Sequence, residues 1–439
     1  MENIQSSKKV GGEIIISRSD HPEKAKNVPS FAKLISVVSG LSTSQLLDTI
    51  LIGAIDLGVS DIHLETEEND VKIRLRIDGI LQELAAINKI AYNSLLSRLK
   101  LVSGIKLNIS NRPQDGRFSI VEKEAGREQQ NIEVRSSTLP SEYGESIVLR
   151  VLNPKNLISL EKLGLENNLL EIFRKEIAKP NGMIIVTGPT GSGKTTTLYA
   201  FLKEVSNPEV KIITIEDPIE YRLEGISQTQ TDPGKGYSFA SGLKAIVRQD
   251  PDIILVGEIR DLETAEIALQ AALTGHLVFS TLHTNDAAGT IARLIDLGAK
   301  VSSISSAINL VVAQRLLRRV CQKCAKLESP DAILLKKFSA SLKELPKQTI
   351  NALLGKNMRI PTAVGCEDCS FTGYRGRIGV FETFLIDEEM EKFILQKPAT
   401  SELRKKAKKK GMITMYQDGL VKVMQGLTTI SELEHMIEE

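Results

Sequence analysis

Eight consecutive residues, Gly188-Pro189-Thr190-Gly191-Ser192-Gly193-Lys194-Thr195, carry the densest chemical signal in the chain. Their glycines let successive backbone N–H groups turn inward, and a helix opening directly after them adds the positive end of its dipole, so the stretch is suited to cradling phosphate. The spacing fits GxxxxGK[ST], in which Lys194 reaches the β- and γ-phosphates of ATP and the Thr195 hydroxyl ligates Mg²⁺, with Thr196 continuing the cradle. The apolar run Met183-Ile184-Ile185-Val186 predicts a strand before the loop and Thr195 to Val205 predicts a helix after it, the context the motif requires.

A phosphate loop alone hydrolyses nothing, so what surrounds the terminal phosphate decides the chemistry. Ile253-Ile254-Leu255-Val256-Gly257-Glu258 reads as a buried strand running into a carboxylate, where phosphate-loop proteins support the Mg²⁺ shell. A glutamate here, longer than the usual aspartate, predicts contact through water. Ile212 to Glu216 is a second strand ending in acids, and Glu216 is the candidate general base for the attacking water. His276 and His283 flank the run Leu277 to Leu282; His283 falls in the loop beyond it and is the candidate sensor of the γ-phosphate. Arg117, Arg135 and Arg150 sit on or beside predicted strands without an evident acidic partner in sequence, and gain a purpose only beside a nucleotide.

Cys321-Gln-Lys-Cys324 and Cys366-Glu-Asp-Cys369 form two dicysteine pairs with 41 residues between them. Four thiolates so spaced predict a closed tetrahedral Zn²⁺ site with a structural role, since no position remains for water. The separation exceeds that of compact zinc ribbons, but loop closure costs only about 0.6 kcal/mol more per doubling of loop length.

The elements that must position these residues divide into several domains, since 439 residues exceed what one core accommodates. Residues 1–40 read as a polar tail. Residues 41–152 read as an α+β domain, with a helix from Ser44, alternating strands around Asp61 to Glu65 and Val71 to Ile77, and a hairpin signal at Asp78-Gly79. Residues 153–165 read as a linker. Residues 166–320 alternate strands and helices, which predicts an α/β core with a mostly parallel sheet and the phosphate loop at its carboxyl edge. A metal-binding lobe is expected over 321–370 and a helical region over 371–439, where the basic run Arg404 to Lys410 reads as a solvated helix face.

Lys and Arg total 56 against 55 Asp and Glu, a net +1, so no global field draws the chain to nucleic acid. With 4% aromatics and no Trp it also lacks the stacking rings of a strand-tracking groove, which weighs against a nucleic-acid translocase. A nucleotide-binding regulator that does not hydrolyse is disfavoured by the presence of both Glu216 and Glu258. No apolar run approaches the ~18 residues of a membrane span, and paired free cysteines suit a reducing compartment, so a cytoplasmic location is expected.

The sequence resembles the secretion-superfamily traffic ATPases, specifically the assembly-type motors of type IV pili and type II secretion. The matching stretches are GVSDIHLE at 58–65, RPQDGR at 112–117, VRSSTLP at 134–140, GPTGSGKTTTLY at 188–199, ITIEDPIE at 213–220, RQDPDIILVGEIRDLETA at 248–265 and TGHLVFSTLHTNDA at 274–287. The resemblance implies a RecA-like nucleotide domain preceded by a smaller PAS-like α+β domain. It implies an ATP-driven homo-hexamer, peripheral to the inner membrane and working on a platform protein there, with no nucleic acid as partner. It implies Glu216 as catalytic glutamate, Glu258 as metal support, His276 and His283 as a histidine box, and Arg135, Arg150 and Arg248 as arginines that approach nucleotide. The tetracysteine argues against retraction-type motors. Two departures stand out: Lys244 replaces an arginine common among relatives one turn before Arg248, and only a short tail precedes Ser44 where relatives carry a further amino-terminal domain.

Overall fold

The computed structural model describes residues 11–17, 30–38, 41, 43–123, 130–342 and 358–437. The chain divides into two compact units. The first comprises residues 1–156 with 321–325 and 363–375; the second comprises 157–320, 326–362 and 376–439.

In the first unit, period-2 alternation forms a sheet that is apolar on one side. Its strands are β1 (Glu13–Ser17), β2 (Asp61–Thr66), β3 (Asp70–Ile77), β4 (Ile80–Asn88), β5 (Gln114–Lys123), β6 (Gln130–Ser141) and β7 (Gly144–Leu152), in the order β1-β5-β6-β7-β2-β3-β4. Ile62, Leu64, Ile73, Leu75, Val134 and Leu149 are buried together with Leu47, Ile50 and Leu51 of α2 (Thr43–Asp56) and Leu95 and Leu99 of α3 (Lys89–Val102). The turn at Asp78-Gly79 has φ of 50° and 88°, the positive pair that a two-residue hairpin loop needs. The expected tail over 1–40 is corrected in part: Glu13–Ser17 pairs parallel with β5, and α1 (Phe31–Val38) buries Phe31 and Leu34 in this unit's core. Their few apolar residues, set among charges, gave too short a pattern to read.

The side chains on the other face of this sheet include a file of charges in register. Arg117 lies opposite Arg135, Arg135 opposite Arg150, Arg150 opposite Asp61, and Asp61 opposite Arg76.

The second unit holds β8 (Gly182–Thr187), β9 (Ile212–Glu216), β10 (Ser227–Gln230), β11 (Ile253–Val256), β12 (Leu277–Leu282), β13 (Ile308–Val320) and, beyond a small antiparallel pair β14 (Lys326–Glu328) and β15 (Ile360–Thr362), β16 (Tyr374–Leu385); the main sheet is ordered β10-β9-β11-β12-β8-β13-β16 and is parallel from β10 through β13. Alternate residues of β8 feed opposite cores. Met183 and Ile185 join one that includes residues of α6 (Phe239–Val247), α7 (Leu262–Leu273), α8 (Ala287–Asp296) and α9 (Val301–Ala307). Ile184 and Val186 join the other, with Phe173 of α4 (Asn167–Ile177) and Phe201 of α5 (Lys194–Val205). Burial on both faces explains why these strands read as unbroken apolar runs. β16 falls in the stretch expected to be helical, so the region 371–439 contributes a sheet strand before its helices.

Candidate active site

The loop Gly188 to Gly193 leaves the carboxyl end of β8 and enters α5 at Lys194. Gly188, Gly191 and Gly193 have φ of 146°, 80° and 89°, values L side chains rarely adopt. A Cβ on Gly188 would also lie 2.4 Å from the Gln314 carbonyl oxygen. Gln314 of β13 braces the loop: its Nε2 donates to the Ser192 carbonyl at 2.9 Å and its Oε1 accepts from the Thr197 hydroxyl at 2.7 Å.

The cradle suits a phosphate. Lys194 Nζ donates to the carbonyls of Gly188 and Pro189 at 2.8 and 3.1 Å, and burial lowers its pKa against the opposing field of Glu258. The buried Ser192 hydroxyl has no partner among the described residues, while Thr190, Gly191 and Thr195 face solvent. A half-buried ammonium held by neutral carbonyls, beside an unsatisfied donor, is what an incoming anion would satisfy.

Glu258, two residues past β11, is the carboxylate whose field reaches Lys194. Its Oε1 accepts from Arg260 Nη2 at 2.5 Å, and its Oε2 lies 3.4 Å from His283 Nε2. Arg260 also stands 3.9 Å from Asp217. Arg260 escaped the sequence reading although its offset from Glu258, two positions on in a loop, was a usable signal. Thr187, the last residue of β8, bonds Thr284 through its hydroxyl, tying the loop after β12 to the root of the phosphate loop.

Glu216 ends β9 and is 4% exposed. It accepts from Tyr199 of α5, from Thr214 at 2.6 Å and from Gln228 at 3.3 Å. Burial raises its pKa, and these three donors pull the other way. In sequence Tyr199 only closes the stretch that follows the phosphate loop, and its place in α5 carries no sign of this role.

Two of the expected nucleotide contacts lie elsewhere. His276 precedes β12 and His283 follows it, so the strand holds them at opposite edges of the sheet. His276 bonds the Ala271 carbonyl through Nδ1 at 3.0 Å, at the edge away from the loop. Arg248 caps α6 at that same amino edge, lining a cleft with Thr274 and Lys300. Lys244 pairs with Glu263 at 2.5 Å. Arg135 and Arg150 belong to the first unit, where Arg150 Nε meets Asp61 at 3.1 Å and Arg135 Nε stands 3.7 Å from Glu133.

All four cysteine sulfurs lie within 4.8 Å of one another. The Cys321–Cys366, Cys324–Cys369 and Cys366–Cys369 separations are 3.9, 3.7 and 3.8 Å. A tetrahedron with metal–sulfur bonds of about 2.3 Å has edges of about 3.8 Å, so the cage fits such an ion. Backbone amides of Gly365, Cys366 and Gly373 donate to the sulfurs at 3.1 to 3.3 Å, which favours their thiolate form and fixes their orientation. The cysteine pairs draw residues 321–325 and 363–375 into the first unit, where Ser370 Oγ accepts from the amide of Phe31 at 3.0 Å.

A doubly covered parallel sheet with this loop at its carboxyl edge and acids facing it defines a P-loop ATPase core. The chain belongs to the type II/IV secretion system protein family, which it matches over residues 40–435. It is 43% identical over 375 residues to the type IV pilus assembly ATPase PilB of Thermus thermophilus, covering 85% of this chain and 40% of that protein. It is 41% identical over 417 residues to the type II secretion system ATPase E of Vibrio cholerae, covering 94% of this chain and 79% of that protein. Among solved structures, the pilus retraction motor PilT with bound ADP aligns with a TM-score of 0.57 at 29% identity, over 89% of this chain and 96% of that one. The Legionella pneumophila ATPase DotB shares the fold, with a TM-score of 0.63 at 22% identity, over 96% of this chain and 98% of that one. No helix among the described residues is long and apolar enough to cross a membrane.

Proposed function

We propose that this chain hydrolyses ATP as a homo-hexamer at the cytoplasmic face of the inner membrane, driving a platform protein that lifts pilin or pseudopilin subunits into a filament. The observation that carries the reading is the glycine-rich loop at the carboxyl end of a parallel strand, opening into α5 at Lys194, with the field of the Glu258 carboxylate acting on that lysine. The kinship with PilB and ATPase E, together with the tetracysteine cage, supports assembly as the task.

Backbone amides of the loop and Lys194 bind the phosphates and hold the terminal one in line. Thr195, with Glu258 through water, would hold Mg²⁺, which supplies charge neutralisation between the β- and γ-phosphates. Glu216 takes the proton of the attacking water; burial, by raising its pKa, strengthens it as an acceptor. Glu258 orients His283 toward the terminal phosphate. Arg135 and Arg150 act on the nucleotide of a neighbouring copy, where a guanidinium neutralises developing charge. Cys321, Cys324, Cys366 and Cys369 would hold Zn²⁺, which would tie together the two segments that carry them.

Lys194→Ala should abolish phosphate release from ATP, and wild-type turnover in that variant would eliminate the assignment. Mixing Arg135→Ala with Lys194→Ala protein should restore part of the activity at mixed interfaces; no recovery at any ratio counts against the trans arginine.

A further inference from the structure

The basic helix Thr400–Lys409 is not simply a solvated face. Among its side chains, Lys406 pairs with Glu389 of the neighbouring helix Glu388–Leu395, but Arg404 reaches in the other direction and forms a short ion pair with Asp286 Oδ2. Asp286 closes the loop that begins at His283. Its Oδ1 accepts from the Gly289 amide at 2.8 Å, capping α8, and its carbonyl accepts from the Thr284 hydroxyl at 3.0 Å. That hydroxyl also lies 2.7 Å from Thr187 Oγ1, and Thr187 is the residue before Gly188. On the other side of Thr284 stands His283, 3.4 Å from Glu258. Four residues, 283–286, therefore link Glu258, the root of the phosphate loop and a carboxyl-terminal helix.

A second acid sharpens the dependence on Arg404. Glu382 of β16, 4% exposed, accepts from the Ala287 amide at 3.0 Å and feels both Asp286 and Arg404. Two carboxylates thus crowd the start of α8, and the guanidinium is the charge that balances them. Without it, Asp286 loses the ion pair that ties it to the helix Thr400–Lys409, and the His283–Asp286 loop is released to shift.

We infer that Arg404 is a positioning residue for ATP hydrolysis: by holding Asp286 it sets the His283 loop, and through it the carboxyl-terminal helices are coupled to turnover. Arg404 touches no reacting atom, so the effect should fall on the catalytic step rather than on nucleotide binding. A displacement of about 1 Å in a catalytic group is enough to cost up to about 100-fold in rate.

The inference rests on the nucleotide site assigned above and is tested in the full-length oligomer by steady-state ATP hydrolysis. Arg404→Gln should lower kcat about ten-fold or more while KM for ATP stays within about two-fold. Arg404→Lys, which restores a cation within reach of Asp286, should recover most of the loss. Lys405→Ala, exposed on the same helix, should leave kcat unchanged. Asp286→Asn keeps a capping oxygen but removes the charge, so it should reproduce the loss, and the double variant should be no worse than either single one. If Arg404→Gln does not fold, Arg404→Lys and Asp286→Asn carry the same comparison. Unimpaired kcat in Arg404→Gln or Asp286→Asn, strictly additive losses, or a loss confined to KM would overturn the inference. Lys194→Ala measured alongside separates the two levels. Full turnover there overturns the site and this coupling together; an inactive Lys194→Ala beside an unimpaired Arg404→Gln overturns the coupling alone.

Discussion

Replacing Tyr199 with Phe should move the acid limb of the pH–rate profile upward. The phenol donates to Glu216 Oε2, and the carboxylate is otherwise supported by Thr214 and Gln228. Burial holds the Glu216 pKa above the ordinary carboxylate value, and the three donors oppose that rise by favouring the ionised form. A hydrogen bond to a charged group contributes about 1.5–3 kcal/mol, and about 1.4 kcal/mol corresponds to one pKa unit. Loss of the Tyr199 donor removes that support from the ionised form and therefore raises the Glu216 pKa further. The proton stays on Glu216 to higher pH, the base is available over a narrower range, and kcat at a fixed mildly acidic pH falls. The assay is kcat for ATP hydrolysis against pH under saturating nucleotide, since that profile reports groups in the bound complex. An acid limb that remains at its wild-type position refutes the assignment of Glu216 as the base.

Glu216→Gln should eliminate turnover yet raise the melting temperature at neutral pH. A carboxyl whose folded pKa exceeds its unfolded value of about 4.5 destabilises the ionised folded state above that range, so the advantage of the variant should disappear as pH falls toward 4.5. Gln314→Leu leaves the Ser192 carbonyl and the Thr197 hydroxyl without their bonds, at about 1–3 kcal/mol each, and should lower the thermal midpoint and raise KM for ATP in the same protein. Cys366→Ser should remove stoichiometric zinc by elemental analysis and destabilise the first unit without abolishing nucleotide binding, because the cage lies with residues 363–375 of that unit.

What was legible in the sequence was whatever local backbone chemistry imposes. The glycines at 188, 191 and 193 are demanded by positive φ, and the hairpin at Asp78-Gly79 by the same constraint, so both stood out in one dimension. The cysteine pairs were equally plain, because ligand type and CxxC spacing suffice to suggest a site. Residues whose role depends on which strands become neighbours were harder. Gln314 meets Ser192 only because β13 lies beside β8, and Glu382 meets Ala287 only because β16 joins the same sheet. His276 is different: it precedes a parallel strand and His283 follows it, so their separation to opposite edges was implied by the strand itself. The resemblance grouped them as one box, and the geometry divides them. Arg404 looked like one charge among many until the fold brought Asp286 to it.

The file Arg117-Arg135-Arg150 sets three arginines on neighbouring strands, with backbones about 5 Å apart, inside a Debye length of about 8 Å at physiological ionic strength. Like charges facing one another across strands loosen a sheet, so the first unit, followed within the whole chain, should gain thermal resilience on addition of sodium chloride. Its firmness is then a property of the surrounding electrolyte as well as of its apolar interior.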